Sequence, residues 1–233
     1  MQIEPILPEL LKELDFRCLL ERLKGEPPRV IEIIGTPNAG KTMALYKLAS
    51  LLEHSGGCRV KTIYESAARC PIKKKLDPAY CEWIACETMQ QLLESIDCGY
   101  ELILCERGLM DVLCWKKFYC NKRLLSQECY DADLGHVVNS AVFGALKAVI
   151  AFTCEPSVAV GREYPASFSA PPGQVVNIPV LTEYNQALAE ILDGRVSLLP
   201  HAVMDTTRQT PEETTNALIA AVAGVLAGQL EIT

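Results

Sequence analysis

The sequence predicts a three-layer α/β fold, a parallel five-stranded sheet with helices on both faces and an extra helix at the N-terminus. Three observations predict it. Short apolar runs of strand length alternate with longer stretches of helical periodicity, and parallel strands need crossovers of that length. The runs at 29–34, 100–105 and 148–153 are nearly continuous in apolar residues, as strands covered on both faces are. A glycine-bearing stretch at 35–42 stands where the first strand passes into a helix.

The elements follow in order. Ile3, Ile6, Leu7, Leu10, Leu11 and Leu14 recur at helical spacing with Glu9, Lys12, Glu13 and Asp15 between them, so 1–26 reads as an amphipathic helix packed on the core or on a partner. Gly25, Pro27 and Pro28 end it before the strand at 29–34. A helix over 41–54 stops at Gly56-Gly57, and 59–64 is the second strand. Asp77 is an N-cap with Pro78 at the first helical position, opening a helix to about residue 96. The third strand, 100–105, precedes a helix near 109–119; a polar segment then leads to a helix over 133–146 and a strand over 148–153. Residues 181–192 read as helix ended by Asp193-Gly194, and 201–204 as a short last strand. Thr210-Pro211-Glu212-Glu213 is a capping box that launches an Ala/Leu/Val-rich helix. A chain of 233 residues buries one substantial core, so 1–233 reads as a single domain.

Composition narrows the partners. With 22 Lys and Arg against 29 Asp and Glu, the net charge is −7, which argues against broad attraction to nucleic acid. No apolar run reaches membrane-spanning length, and no signal peptide opens the chain. The eleven cysteines include no CxxC pair, and His54, His136 and His201 stand far apart. Structural zinc is therefore disfavoured, and the thiols read as small buried apolar groups in a reducing cytoplasm.

The chemistry begins at Gly35-Thr36-Pro37-Asn38-Ala39-Gly40-Lys41-Thr42, with Met43 next in the helix. Glycine-permitted turns at 35 and 40 bring successive backbone N–H groups and a helix N-terminus up to a polyphosphate. Lys41 would reach the β- and γ-phosphates, and the Thr42 hydroxyl would ligate Mg²⁺. Ligands of a parallel sheet gather at the carboxyl ends of its strands. Those ends carry Glu65, Glu106-Arg107-Gly108, Cys154-Glu155-Pro156 and Asp205-Thr206.

With GTPNAGKT at 35–42, YES at 64–66, ERG at 106–108, CEPSVAVGRE at 154–163 and DTT at 205–207 in this order, the chain resembles the P-loop nucleoside and nucleotide kinases, the deoxynucleoside-kinase and thymidylate-kinase group, over roughly 29–225. The resemblance implies ATP as donor, Mg²⁺ held by Thr42 and a Walker B acid at Glu106, and a small acceptor of nucleoside or nucleotide class. It places Glu65 at the acceptor hydroxyl, as general base or to orient it, Arg107 on substrate or transferring phosphate, Arg162 as first arginine of a lid over 155–180, and Asp205 and Thr206 beside the adenine. Thymidylate kinases carry Arg-Glu-Pro where this chain has Tyr64-Glu65-Ser66, and 163–177 lacks the further arginines of such a lid. Either Arg162 acts alone or Lys116, Lys117, Lys122 and Arg123 reach over; solvated charges are the favoured reading of those four. Lys73-Lys74-Lys75 with Arg69 would flank the acceptor, facing solvent or an acidic group on it. Tyr80 and Trp83 read equally as base platform or core, and Trp115 as core.

Other readings stay open. An ATPase or nucleotide-dependent switch would use the N-terminal helix to dock a partner, and a degenerate kinase would keep the loop without transfer. A homodimer through that helix is a further option. A GTPase is disfavoured, because Asn121-Lys122-Arg123-Leu124 lacks the acid of the guanine-reading NKxD motif and no DxxG occurs.

Overall fold

The structure is a computed structural model, which describes residues 16–163, 174–194 and 199–228. Its sheet consists of β1 (Arg29–Gly35), β2 (Val60–Ile63), β3 (Leu102–Glu106), β4 (Leu146–Thr153) and β5 (His201–Asp205). The strand order is β2-β3-β1-β4-β5, every pairing parallel. The chain leaves β1 toward β3 and β2, then crosses to β4 and β5 on the other side. That reversal opens a crevice at the carboxyl end of β1, where residues 35–42 lie.

Around the sheet lie α1 (Phe16–Glu21), α2 (Lys41–Ser55), α3 (Pro78–Asp97), α4 (Leu109–Asn121), α5 (Gln127–Val138), α6 (Ala141–Ala145), α7 (Pro156–Glu163), α8 (Ile178–Leu192) and α9 (Pro211–Leu226). One core layer joins Ile31, Ile33 and Phe152 of the sheet to Leu45 and Leu48 of α2 and Leu218 and Val222 of α9. The opposite layer joins Val30, Ile34 and Ile103 to Leu92 of α3, Leu113 of α4, and Tyr184 and Leu188 of α8. Burial on both faces is why β1, β3 and β4 are apolar without alternation. Leu20 and Leu23 are fully buried in the first layer. They place the end of the expected N-terminal helix on the core, while residues 1–15 lie outside the described residues.

The helix expected over 133–146 is two helices. Ser126 caps α5 by accepting from the Cys129 N–H at 3.2 Å, and Ser140 caps α6 by accepting from the Phe143 N–H at 3.2 Å. A serine at these points competes for the backbone and restarts the helix. At α3, Asp77 accepts from the Ala79 N–H. The capping box at Thr210 is formed as predicted.

None of the eleven cysteines is in a disulfide; Cys70, Cys81, Cys105, Cys114 and Cys154 are buried and Cys18, Cys86, Cys98 and Cys129 exposed. Burial raises the Cys105 and Cys114 thiols well above their ordinary range. Among the described residues no group of His, Cys, Asp and Glu is arranged for a metal, by the measure of three or more such ligands together. No described helix is long and apolar enough to cross a membrane.

Candidate functional site

The loop leaves β1 through Gly35, whose φ of +118° is open to glycine and whose added Cβ would stand 2.0 Å from the Phe152 carbonyl oxygen. It enters α2 through Gly40, an N-cap in the left-handed region with no side-chain cap bond. The first N–H groups of α2 are thus left for an anion. Thr36 anchors the loop, donating to Asn185 Oδ1 at 2.7 Å and accepting from the Cys154 N–H at 3.2 Å. Asn38 Nδ2 donates to the Ala159 carbonyl of α7. Lys41 folds back, its Nζ donating to the carbonyls of Gly35 at 2.9 Å and Thr36 at 2.7 Å. Burial lowers its pKa to about 7, Arg107 adding to the shift and Asp111, Glu106 and Glu65 opposing it.

Thr42 Oγ1 donates to Glu106 Oε1 at 2.5 Å. Glu106 is buried at the end of β3, and its Oε2 accepts no hydrogen bond from the described residues. A hydroxyl beside a buried carboxylate with an oxygen to spare is a hard-oxygen set that suits Mg²⁺.

Arg107 turns sharply out of β3 with φ +55°. Its Nε lies 2.9 Å from Glu65 Oε2, an ionic contact without hydrogen-bond alignment. Its Nη1 donates to Asp111 Oδ2 at 3.1 Å. Burial opposes the charge, but Glu65 and Asp111 outweigh it and hold the guanidinium's pKa well above its ordinary value. Asp111 Oδ1 in turn accepts from Tyr184 OH at 2.6 Å and from the Gly35 N–H at 3.2 Å. A chain of contacts therefore runs from Glu65 through Arg107 and Asp111 to the first peptide of the loop. No local pattern in the sequence marks Asp111 for this role, since Tyr184 is 73 residues away. Glu32 was also missed. This fully buried carboxylate in β1 accepts from the N–H groups of Leu109 at 2.9 Å and Met110 at 2.8 Å and so caps α4. Burial raises its pKa to about 7, against those two bonds.

The loop, Glu65, Glu106, Arg107 and Arg162 line one cleft of about 1020 Å³, with Met43 and Tyr46 at the α2 side. Arg162 sits in α7, a helix the sequence reading did not assign, and its Nη2 donates to the Thr206 carbonyl at 2.7 Å. Thr206 is buried, whereas Asp205 turns its Oδ1 to the Thr207 N–H at 2.9 Å and faces a separate hollow with Asn185 and Arg208. The cleft is bordered instead by Gln209, Pro211 and Thr214. The expected lid is described at α7 and from residue 174; 164–173 lie outside the described residues.

The four cations considered for the lid stay away from the cleft. Lys116 pairs with Asp133, Lys117 with Glu190 and Lys122 with Glu183, and Arg123 is exposed. Of the basic run, Lys75 lines the cleft, Lys73 and Lys74 are exposed, and Arg69 pairs with Glu87 at 2.6 Å. Tyr80 and Trp115 line the cleft and Trp83 does not.

No protein-family model and no curated protein matches the chain. Among solved structures it is similar to deoxyadenosine kinase from M. mycoides with products dCMP and a flexible dCDP bound, at 18% identity over 83% of this chain and 97% of that one, with a TM-score of 0.64. The same enzyme with bound dATP gives 16% identity over 83% and 98% and a TM-score of 0.62, and with bound dCTP 16% over 83% and 97% and 0.58. The likeness is one of fold.

Proposed function

We propose that this chain, with the fold of the P-loop deoxynucleoside kinases, transfers the γ-phosphoryl group of ATP to a hydroxyl of a small acceptor of nucleoside or nucleotide class. One observation carries the reading: a single cleft holds the phosphate loop, the Thr42–Glu106 pair and, across from them, a carboxylate in contact with a buried arginine. The loop N–H groups and Lys41 bind the phosphates, Lys41 exchanging two carbonyls for phosphate oxygens. Thr42 and Glu106 hold Mg²⁺, which when bound neutralises charge on the phosphates. Glu65 orients the acceptor hydroxyl and takes its proton as the new O–P bond forms and the β–γ bridge breaks, with ADP leaving. Arg107 stands beside it as a fixed cation for the transferring group. The eleven cysteines, none of them in a disulfide, support a cytoplasmic setting.

One observation favours a second reading. Arg162 is tied to Thr206 rather than standing free over the loop, as suits a protein that binds nucleotide without transferring phosphate. Incubation of the purified chain with ATP, Mg²⁺ and a panel of nucleosides and nucleotides, with products read by mass spectrometry, separates these. A phosphorylated panel member supports the kinase. ATP hydrolysis indifferent to every acceptor indicates an ATPase, and ATP binding without turnover the degenerate form.

A further inference from the structure

Four described cations line the cleft, and three of them are engaged within the protein. Lys41 Nζ donates to the carbonyls of Gly35 and Thr36, Arg107 lies against Glu65 and Asp111, and Arg162 donates to the Thr206 carbonyl. Lys75 is the fourth. Its ammonium has no partner among the described residues, and residues 164–173, outside them, carry no Asp or Glu to offer it one. Asp77, two positions along, is occupied in capping α3, where it accepts from the Ala79 N–H at 3.0 Å.

The lysine is presented from a fixed backbone. Its carbonyl accepts from the buried Tyr119 OH at 3.3 Å, the Lys74 carbonyl accepts from the Asp77 N–H at 3.0 Å, and Leu76 packs on the cluster of Val112, Phe118 and Tyr119. Lys73 and Lys74 are exposed, whereas Lys75 is half-buried. Ile84, Val112 and Trp115 line the same cleft, and against such apolar walls a charge interacts more strongly with a counter-charge than it does in water. An ammonium held there without a carboxylate is left for an anion that arrives from outside.

The phosphates of the donor are met by the loop, Lys41 and the Thr42–Glu106 pair. Lys75 instead precedes α3, whose Tyr80 stands near Glu65, and so belongs to the acceptor half. Glu65 decides the orientation, because a second negative group beside that carboxylate is repelled. We propose that the acceptor carries a phosphomonoester apart from the hydroxyl that reacts, and that the Lys75 ammonium holds it. A lysine suits this group as a compact point charge that requires no planar partner. The substrate class is nucleoside monophosphates with a free hydroxyl. That oxygen joins the γ-phosphorus, its proton passes to Glu65, ADP leaves, and the product is a bisphosphate. This rests on the kinase reading above.

A hydrogen bond from a charged donor to a phosphate oxygen is worth about 10- to 100-fold in affinity. The test is kcat/KM, with ATP and Mg²⁺, for thymidine and adenosine against their 3′- and 5′-monophosphates, the new phosphate located by fragmentation in the mass spectrometer. At least one monophosphate should stand about tenfold or more above its nucleoside, with a phosphate on each of two hydroxyls in the product. Lys75→Ala should bring that ratio to about one, while Lys75→Arg and, at an exposed neighbour, Lys73→Ala keep it. Three results overturn the proposal and leave the kinase standing: nucleosides used as well as their monophosphates, a diphosphate product in which the existing phosphate was the acceptor, or a ratio untouched by Lys75→Ala. Phosphorylation of none of the six compounds overturns both.

Discussion

Replacing Asp111 by asparagine keeps the side chain's shape and removes its charge. The asparagine oxygen still accepts from Tyr184 OH and the Gly35 N–H, now at 2.6 and 3.2 Å from Oδ1. Its amide nitrogen, however, meets Arg107 Nη1, which lies 3.1 Å from Oδ2, so donor faces donor. The pair is buried, with side-chain exposures of 11% and 4%. Removing one partner of a buried ion pair costs about 3–5 kcal/mol, and because Glu65 still faces Arg107 Nε we take the lower end, about 3 kcal/mol. With a urea slope of roughly 2–3 kcal/mol/M, the unfolding midpoint falls by about 1 M. Asp111→Ala also strands the Gly35 N–H and Tyr184 OH, at about 1–3 kcal/mol each, and should lie at least about 2 kcal/mol lower still. Urea titration followed by tryptophan fluorescence measures both, since Trp115 packs on Tyr184. Asp111→Asn within about 1 kcal/mol of the parent, or Asp111→Ala no worse than Asp111→Asn, would refute the account of the network.

Glu65→Gln should lower turnover by about 10²–10⁴ with ATP affinity within twofold of the parent; an unaffected rate removes Glu65 from the chemistry. Glu106→Gln should raise the Mg²⁺ needed for half-maximal ATP binding by more than about tenfold, read by titration at fixed ATP, and an unmoved midpoint takes Glu106 out of the metal site. Lys41 gives a pH signature. Its ordinary pKa of 10.5 is lowered to about 7 in the fold, so between those values the unfolded chain binds the extra proton and stability rises with pH. The contribution is complete above 10.5 and lost as pH falls through about 7. Lys41→Met should flatten that rise in unfolding midpoints. ATP binding near pH 8 should take up a proton in the parent alone, seen by calorimetry in buffers of different ionisation enthalpy; equal uptake in both proteins contradicts the assignment.

The elements that the sequence announced are those whose signals are local. The loop at 35–42 needs only its own glycines and the adjoining strand and helix, and Glu65 and Glu106, which line the cleft with it, could be picked out because strand ends are a short list. The split between α5 and α6 was missed because the apolar periodicity runs across Ser140, while the interruption is a single side-chain bond to the Phe143 N–H. Glu32 gave no usable signal either. Inside a five-residue apolar run it reads as an irregularity, and only the arrival of α4 supplies the two N–H groups that satisfy it.

By itself the sequence determined the parallel sheet, the loop and the identity of the acids at the strand ends, since these follow from periodicities of two and 3.6 and from backbone conformations that few residues allow. The tertiary structure alone decided which side chains those groups meet. It set Arg107 between Glu65 and Asp111, hung the loop on Asp111 and Tyr184, and turned Arg162 to Thr206. Each of these is a meeting of side chains from separate elements. Hydrogen bonds and ion pairs act over about 3 Å, and no pattern along the chain encodes which distant residues will come that close.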